Sequence, residues 1–294
     1  MHLPSSYARS DFMNSHAFDP IAVAIKEDIG KGDITTEFFV PADLRASGQI
    51  ITHEKAIVAG TETAAEVFRR IDSATRPRVI RADGSEVEPG DVIIEIDGSA
   101  RSILKAERVA LNFLQRLSGI ATLTRKFVDA AADPRVQILD TRKTTPGLRA
   151  LEKAAVVAGG GANHRFGLYD MVLVKDNHLI ADPQLSAFAE TVRRVRRERP
   201  GVRIEVEAEN LEQVRTFLEA GDVDVILLDN MKRTEIREAV ALGKNKVKFE
   251  ASGGITLTNV RQIAATGVDY ISIGALTHSA PAINFSLELK NVAS

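Results

Sequence analysis

The sequence predicts an α/β protein with a β-rich N-terminal region followed by a run of parallel βα units, and three observations carry the prediction. After about residue 130, short apolar runs alternate with amphipathic stretches, the signature of strands separated by helices. Each apolar run ends abruptly in charged, amide or glycine residues. The earlier half instead shows β-rich pieces with turn signals, "GQIITHEKAIVAG" and "DGSEVEPGDVIIEIDG", between Gly48 and Leu104.

The strands expected in the second half are "VQILDTRK", "DMVLVKDNH", "VRIEVEAEN", "DVILLDN", "VKFEASGG" and "DYISIGALT". Between them, "LSAFAETVRRVRRE", "NLEQVRTFLEAG", "KRTEIREAVALG" and "TNVRQIAATG" place apolar residues at helical spacing. Strands alternating with helices in this way argue for parallel βα units. A closed barrel accommodates six successive units better than a doubly wound sheet, although the sequence allows either. Joining the two halves, "KAERVALNFLQRLSGIATLTRKFVDAAA" from Lys105 to Ala132 is a long helical pattern, with Gly119 as a point where it could break. The resulting division is an N-terminal segment over 1–26, an α/β domain over 27–115 and a barrel domain over 116–294, whose C-terminal tail could return to the N-terminal domain.

Composition narrows the class. The chain has 294 residues and a formal net charge of −2, so no overall basic field draws it to nucleic acid or acidic membranes. There is no cysteine, which excludes disulfides, thiolate zinc sites and cysteine nucleophiles. The first twenty residues lack an apolar stretch of signal-peptide length, and no uncharged apolar run approaches the ~20 residues of a membrane span. A soluble, cytoplasmic protein is therefore expected.

The strand ends sort by charge. The first delivers Arg142 and Lys143, adjacent in a Thr-Arg-Lys-Thr-Thr-Pro-Gly turn. Neighbours on a straight strand point oppositely, so both can serve one place only if the strand stops there. The second delivers Lys175, Asp176, Asn177 and His178, preceded by "GGGANHRFG" with His164 and Arg165. The third offers Glu205, Glu207 and Glu209, the fourth Asp229 and Asn230, the fifth Ser252-Gly253-Gly254 and the sixth Gly274-Ala275. Glycine turns and helix starts late in a barrel commonly bind phosphate. Carboxylates beside a phosphate point to magnesium, and crowded arginines and lysines to a second anionic substrate. Blander readings stand beside these. The alternating glutamates could form the solvated face of an edge strand, Ser-Gly-Gly could be an ordinary turn, and each histidine could be structural. Lys175, directly after "MVLV", is poorly explained as a casual surface charge.

The block "DTRKTTPGLRALEKAAVVAGGGANHRFGLYDMVLVKDNH", with "EVEAEN", "ILLDN", "EASGGIT" and "VDYISIGALTHS", closely resembles the quinolinate phosphoribosyltransferases. "EDIGKGDITTE" and "AERVALNFLQRLSGIAT" extend the resemblance toward the N-terminus. It implies an N-terminal α/β domain packed on an incomplete, seven-stranded α/β barrel, assembled as a homodimer. It also implies transfer of phosphoribosyl from phosphoribosyl pyrophosphate to quinolinate with magnesium (Mg2+), giving nicotinate mononucleotide, pyrophosphate and carbon dioxide. By matching motif, Arg108, Thr141, Arg142, Lys143, His164, Arg165 and Lys175 would surround quinolinate and the pyrophosphate. Glu207 and Asp229 would hold the ribose and metal side, directly or through substrate or water. Ser252, Gly253, Gly254, Ile273, Gly274 and Ala275 would cradle the ribose phosphate. Catalysis would fall to Lys143, Lys175, Glu207 and Asp229, and Arg108 would reach across from the neighbouring subunit.

Two other classes compete. A Schiff-base lyase could use Lys175 or Lys143 as its amine beside a phosphate site. The pieces "DGSEVEPGDVIIEI" and "HEKAIVAG" also look like parts of a lipoyl or biotin carrier hairpin, with Lys55 as the modified residue.

Overall fold

The computed structural model describes residues 18–179 and 187–291. Most of the expected N-terminal segment, and Leu185 and Ser186 at the start of one expected helix, lie outside the described residues.

The N-terminal region begins with two short helices, each opened by an aspartate. Asp19 accepts the backbone N–H of Ile21 and Ala22 ahead of α1 (Pro20–Ile29), and Asp33 accepts that of Thr36 ahead of α2 (Ile34–Phe39). These are the donors a helix start leaves unpaired. There follow β1 (Arg45–Thr52), β2 (Ala56–Ile57), α3 (Thr61–Ile71), β3 (Arg76–Val79), β4 (Glu86–Val87) and β5 (Val92–Ser99). Strands β3, β5 and β1 pair antiparallel, and α3 and the next helix cover the sheet with Val67, Phe68, Ile103 and Leu111 against Ile50, Ile94 and Ile96.

Helix α4 (Ala100–Ala131) belongs to both halves. Its first turns carry Ile103, Ala106, Val109 and Leu114 into the N-terminal core, and its later turns carry Leu117, Ile120, Ala121 and Phe127 into the core of the parallel sheet. Thirty-two residues of helix span about 48 Å, so one rod fastens the two together. It does not break at Gly119. A Cβ there would lie 2.1 Å from the Pro281 carbonyl oxygen, so glycine serves close approach of the returning chain rather than a bend.

All six strands expected after the long helix form: β6 (Gln137–Leu139), β7 (Val172–Val174), β8 (Ile204–Ala208), β9 (Val225–Asp229), β10 (Lys248–Ser252) and β11 (Tyr270–Ser272). They make one parallel sheet in the order β6-β11-β10-β9-β8-β7. Helices α5 (Arg149–Ala158), α6 (Phe188–Glu198), α7 (Leu211–Ala220), α8 (Arg233–Leu242) and α9 (Val260–Ala264) intervene, and α10 (Ala275–His278) follows β11. The sheet differs from a seven-stranded count: among the described residues it has six strands and a single-residue parallel bridge, Leu139 to Ala162. That bridge follows Gly159-Gly160-Gly161, three residues with no side chain to pack and little strand propensity.

The chain then leaves this sheet. β12 (Phe285–Asn291) pairs antiparallel with β1, completing a four-stranded N-terminal sheet in the order β12-β1-β5-β3. Lys55, the residue of the carrier reading, is ion-paired with Glu86 and, at 3.0 Å, with Glu88.

Candidate active site

Because all six strands are parallel, their C-terminal ends lie along one edge of the sheet. This edge collects the residues singled out above.

Strand β6 stops at Leu139, which resolves the problem of the adjacent cations. Asp140 turns inward and is fully buried, while Thr141, Arg142 and Lys143 form a turn. The Thr141 hydroxyl accepts the Lys143 N–H at 3.0 Å, and the Arg142 carbonyl accepts the Thr144 N–H at 2.9 Å. Lys143 then extends across the sheet edge to β11: its Cδ would be 2.9 Å from a Cβ placed on Gly274, and its carbonyl accepts the Thr277 hydroxyl at 2.7 Å. Any larger residue at 274 would displace the lysine.

Three residues that the sequence reading passed over hold this turn. Lys153, on α5 and only 2% exposed, donates to Asp140 and, at 3.0 Å, to the His164 carbonyl. Asp140 also accepts the His164 N–H at 2.9 Å and, with the Asn163 amide nitrogen turned inward, a bond of 2.5 Å. Burial pushes the Asp140 carboxyl up to about 6 against the pull of Lys153, so it remains ionised at neutral pH. Arg149 donates to the Thr144 hydroxyl at 3.0 Å, the Phe166 carbonyl at 3.0 Å and the Arg142 carbonyl at 3.3 Å. Buried Glu152 accepts from Thr145 and from Arg116 of α4, which also binds the carbonyls of Thr277 and Ala280. The loops carrying Arg142 and Arg165 are thus tied to each other and to both helices beneath. The signal was present in "LRALEKA": Arg149, Glu152 and Lys153 fall on adjacent positions of one helical face, where two of them interrupt the buried stripe.

Arg165 sits close enough to Arg142 that, after burial, the neighbouring positive charge lowers its pKa. Two guanidiniums so close repel unless an anion separates them. The Arg142 Nε is buried without a hydrogen-bond partner, a donor left open.

The glutamates on β8 do not form a solvated edge. The strand is paired on both sides, with β7 and β9, and all five of its residues are buried. Ile204, Val206 and Ala208 enter the apolar core as the alternation predicts, and Glu205 and Glu207 share the other face. Glu207 binds Lys175 at 2.5 Å, joining the ends of β8 and β7. Glu205 lies deeper and contacts His164. Glu209 is exposed beyond the strand, where its N–H is capped by Gln213 at 2.8 Å. His178 is likewise local: its Nδ1 accepts the Lys175 N–H at 2.8 Å and closes a single 3-10 turn.

On the remaining strands, Asp229 accepts the Asn230 amide at 2.9 Å at the tip of β9. Beside it, Ser252 ends β10, and Gly253 adopts φ +88°, its missing Cβ leaving room for the Asn230 side chain at 2.2 Å. Over Gly254 nothing lies within 4 Å of a Cβ position, so backbone is open to a ligand there. Ala275 opens α10 beside it. Ile273 is 2% exposed, its side chain in the apolar core, and its backbone N–H donates to the Leu139 carbonyl at 2.9 Å along this edge.

Arg108 is not among these residues. It projects from α4, mostly exposed, with Glu107 its ion-pair partner at 4.0 Å. On α2, which Arg101 and Lys105 tie to the first turns of α4, Ile34, Phe38 and Phe39 are 74%, 82% and 84% exposed.

Magnesium takes hard oxygen ligands, usually one or two carboxylates with the rest from substrate and water. Glu207 and Asp229, at the tips of adjacent strands next to open backbone, are donors of that kind, so the residues present fit the ion.

Comparison with known proteins agrees with this arrangement. Residues 33–118 match the family described as quinolinate phosphoribosyl transferase, N-terminal domain, and residues 120–288 match its C-terminal domain. A probable nicotinate-nucleotide pyrophosphorylase [carboxylating] of Bacillus subtilis (strain 168) is 43% identical over 263 residues, covering 90% of each chain. The nicotinate-nucleotide pyrophosphorylase [carboxylating] of Mycobacterium leprae (strain TN) is 40% identical over 286 residues, covering 95% of this chain and 99% of its own. The crystal structure of NadC from Streptococcus pyogenes superposes with a TM-score of 0.87 at 37% identity, covering 95% of this chain and 100% of that one. With both domains matched and relatives of this similarity along nearly its whole length, the chain belongs to the quinolinate phosphoribosyltransferase family.

Proposed function

We propose that this protein joins quinolinate to phosphoribosyl pyrophosphate and releases pyrophosphate and carbon dioxide, leaving nicotinate mononucleotide, a step of NAD biosynthesis. The observation that carries the reading is the segregation along one sheet edge. Arg142 and Lys143 follow β6, Arg165 follows the Ala162 bridge, Lys175 follows β7, Glu207 and Asp229 stand in the middle, and the glycine bends lie beyond. Two polyanionic reactants repel each other, and fixed cations offset that repulsion, each charge-assisted contact contributing about 1.5–3 kcal/mol.

The chemistry assigned to the residues follows their charges. Arg142, Arg165 and Lys175 receive the ring carboxylates, and Lys143, lying over Gly274, faces the departing pyrophosphate. Breaking the ribose–pyrophosphate bond builds positive charge on the ribose, which Glu207 and Asp229 stabilise. Ser252, Gly253 and Gly254, with the backbone of Ile273, Gly274 and Ala275, hold the ribose phosphate. When bound, Mg2+ held by Glu207 and Asp229 would neutralise charge on the pyrophosphate. After the ring nitrogen is ribosylated it is cationic and accepts the electron pair left as the adjacent carboxylate departs as carbon dioxide. A proton from solvent then takes the carboxylate's place.

Arg108 contributes to the site of a second subunit in a homodimer; its position on α4, away from its own sheet edge, and the exposed Ile34, Phe38 and Phe39 support that reading. Among the described residues no helix is long and apolar enough to cross a membrane, and we place the enzyme in the cytoplasm. The Schiff-base reading is disfavoured. Lys175 is the ion-pair partner of Glu207 and its side chain is 43% exposed, unlike an amine kept neutral in an apolar pocket.

The deciding experiment incubates the protein with phosphoribosyl pyrophosphate, magnesium and either quinolinate or nicotinate, and measures carbon dioxide and mononucleotide. Quinolinate should yield both in equal amounts. Mononucleotide from nicotinate, with none from quinolinate, would refute the reading.

A further inference from the structure

Beneath the charged edge lies a cluster that phosphoribosyl transfer itself does not call for. The Glu205 and Glu250 side chains, on β8 and β10, are 1% exposed, and the His164 side chain is 8% exposed. The His164 Nε2 is 3.2 Å from Glu205 and 3.8 Å from Glu250. Neither Glu250 oxygen has a hydrogen-bond partner of good geometry, although both are fully buried. The groups facing it are Glu205 from β8, His164 from the loop before β7, Arg203 just ahead of β8 and the Ser272 hydroxyl from β11. An unpaired carboxylate in such a place is strongly disfavoured.

Two arrangements would satisfy the three groups: a shared metal ion or a shared proton. The ligand atoms lie within 4.8 Å of one another, close enough for a metal. The other ring nitrogen decides against it. His164 Nδ1 accepts the Arg165 N–H at 2.7 Å, so it carries no proton. The ring proton must then sit on Nε2, which faces the carboxylates as a donor and has no lone pair for a metal. Burial disfavours the charged imidazole while the two carboxylates favour it more strongly, yet a second ring proton has no place opposite the Arg165 N–H. The cluster has one N–H donor for two carboxyl groups.

We infer that Glu250 works as a buried neutral acid, a positioning residue whose own proton leaves Glu205 free to hold the His164 Nε2–H. His164 in turn fixes Arg165 through that backbone N–H, and its carbonyl holds Lys153. Glu250 therefore sets the loop that presents Arg165 to the substrate. Burial first, and then the Glu205 charge, push the Glu250 carboxyl up to about 7, within the range where an enzyme works. Above that pH two anions compete for one donor, the loop loosens, and Arg165 grips a carboxylate less well.

The activity arm of the test rests on the function proposed above; the stability arm does not. Glu250→Gln keeps the shape of the neutral acid and cannot ionise. The wild-type KM for quinolinate should rise severalfold between about pH 6 and pH 9 with little change in kcat, and the variant's should stay nearly flat. Thermal unfolding gives the independent reading. An unfolded glutamate loses its proton near the ordinary value of 4.5, whereas folded Glu250 keeps its proton to about 7. The folded state therefore binds more protons across that window, and the wild type loses stability relative to the variant as pH rises through it. Parallel Tm–pH curves for the two proteins would overturn the inference. So would a variant that does not fold, a KM as steep in pH as the wild type's, or a stoichiometric metal in the purified wild type that the variant lacks. If quinolinate is not a substrate at all, the Tm curves still decide.

Discussion

The two cores of this molecule are built from different materials. Around Ile50, Phe68, Ile94 and Ile103 the N-terminal core is apolar, and its fully buried polar side chains are neutral threonines such as Thr52 and Thr61. Beneath the parallel sheet, Asp140, Glu152, Lys153, Glu205, Glu207 and Glu250 are all buried, and every buried charged side chain among the described residues lies in this half. An apolar core packs by shape and tolerates exchange of one aliphatic residue for another. A core of paired charges is worth little net stability, but removing one member leaves its partner stranded. The difference teaches where precision is needed: the N-terminal half has to be rigid, whereas the sheet half has to hold cationic loops at fixed positions.

That contrast can be broken or sharpened by substitution. The largest effect is expected for Lys153→Met, which strands Asp140 in a fully buried place and should lower stability by about 3–5 kcal/mol in denaturant unfolding. A loss under about 1 kcal/mol would mean that the charged core behaves like an ordinary one. Lys143→Ala should leave unfolding nearly unchanged and lower kcat about 10²–10³-fold, as for removal of one group aimed at developing charge. Near-normal turnover with both substrates below saturation would remove Lys143 from the site. Gly253→Ala forces a side chain into a left-handed conformation against Asn230, a strain of about 1–3 kcal/mol. Its effect should appear as a raised KM for phosphoribosyl pyrophosphate more than for quinolinate. The smallest effect is expected in the other core. Ile94→Val, deleting one buried methylene, should cost about 0.5–1.5 kcal/mol and leave both KM values alone. A dependence of activity on subunit mixing would extend the comparison to the assembly. Inactive Arg108→Ala and Lys143→Ala protomers, allowed to exchange, should regain part of the wild-type rate, and continued inactivity after proven exchange would count against a shared site.

Much of the sheet edge could be read from the sequence because strand ends are local features. An apolar run that stops at a charge or a glycine marks its own terminus, so Lys175, Asp229 and Ser252-Gly253-Gly254 were legible at sight. Arg149, Lys153 and Glu250 were not. The first two sit on a helix whose facing surface was unknown, and Glu250 in "VKFEASGG" is indistinguishable from a solvated strand residue until the strand proves to be central. Gly119 is ambiguous in the sequence for a related reason. A glycine within a helical pattern signals either a bend or a neighbour's backbone, and the neighbour, Pro281, is remote in sequence.

By itself the sequence determined the alternation of strand and helix, the order in which cations, carboxylates and glycines leave the strands, and the family. These are encoded in periodicity and in residues adjacent along the chain. Only the tertiary structure decided that β8 is flanked on both sides, that β12 returns to β1, and that Lys153 meets Asp140 and Glu250 faces Glu205. The physical reason is that the state of a charged side chain depends on what surrounds it. Those surroundings are assembled from segments the sequence holds far apart.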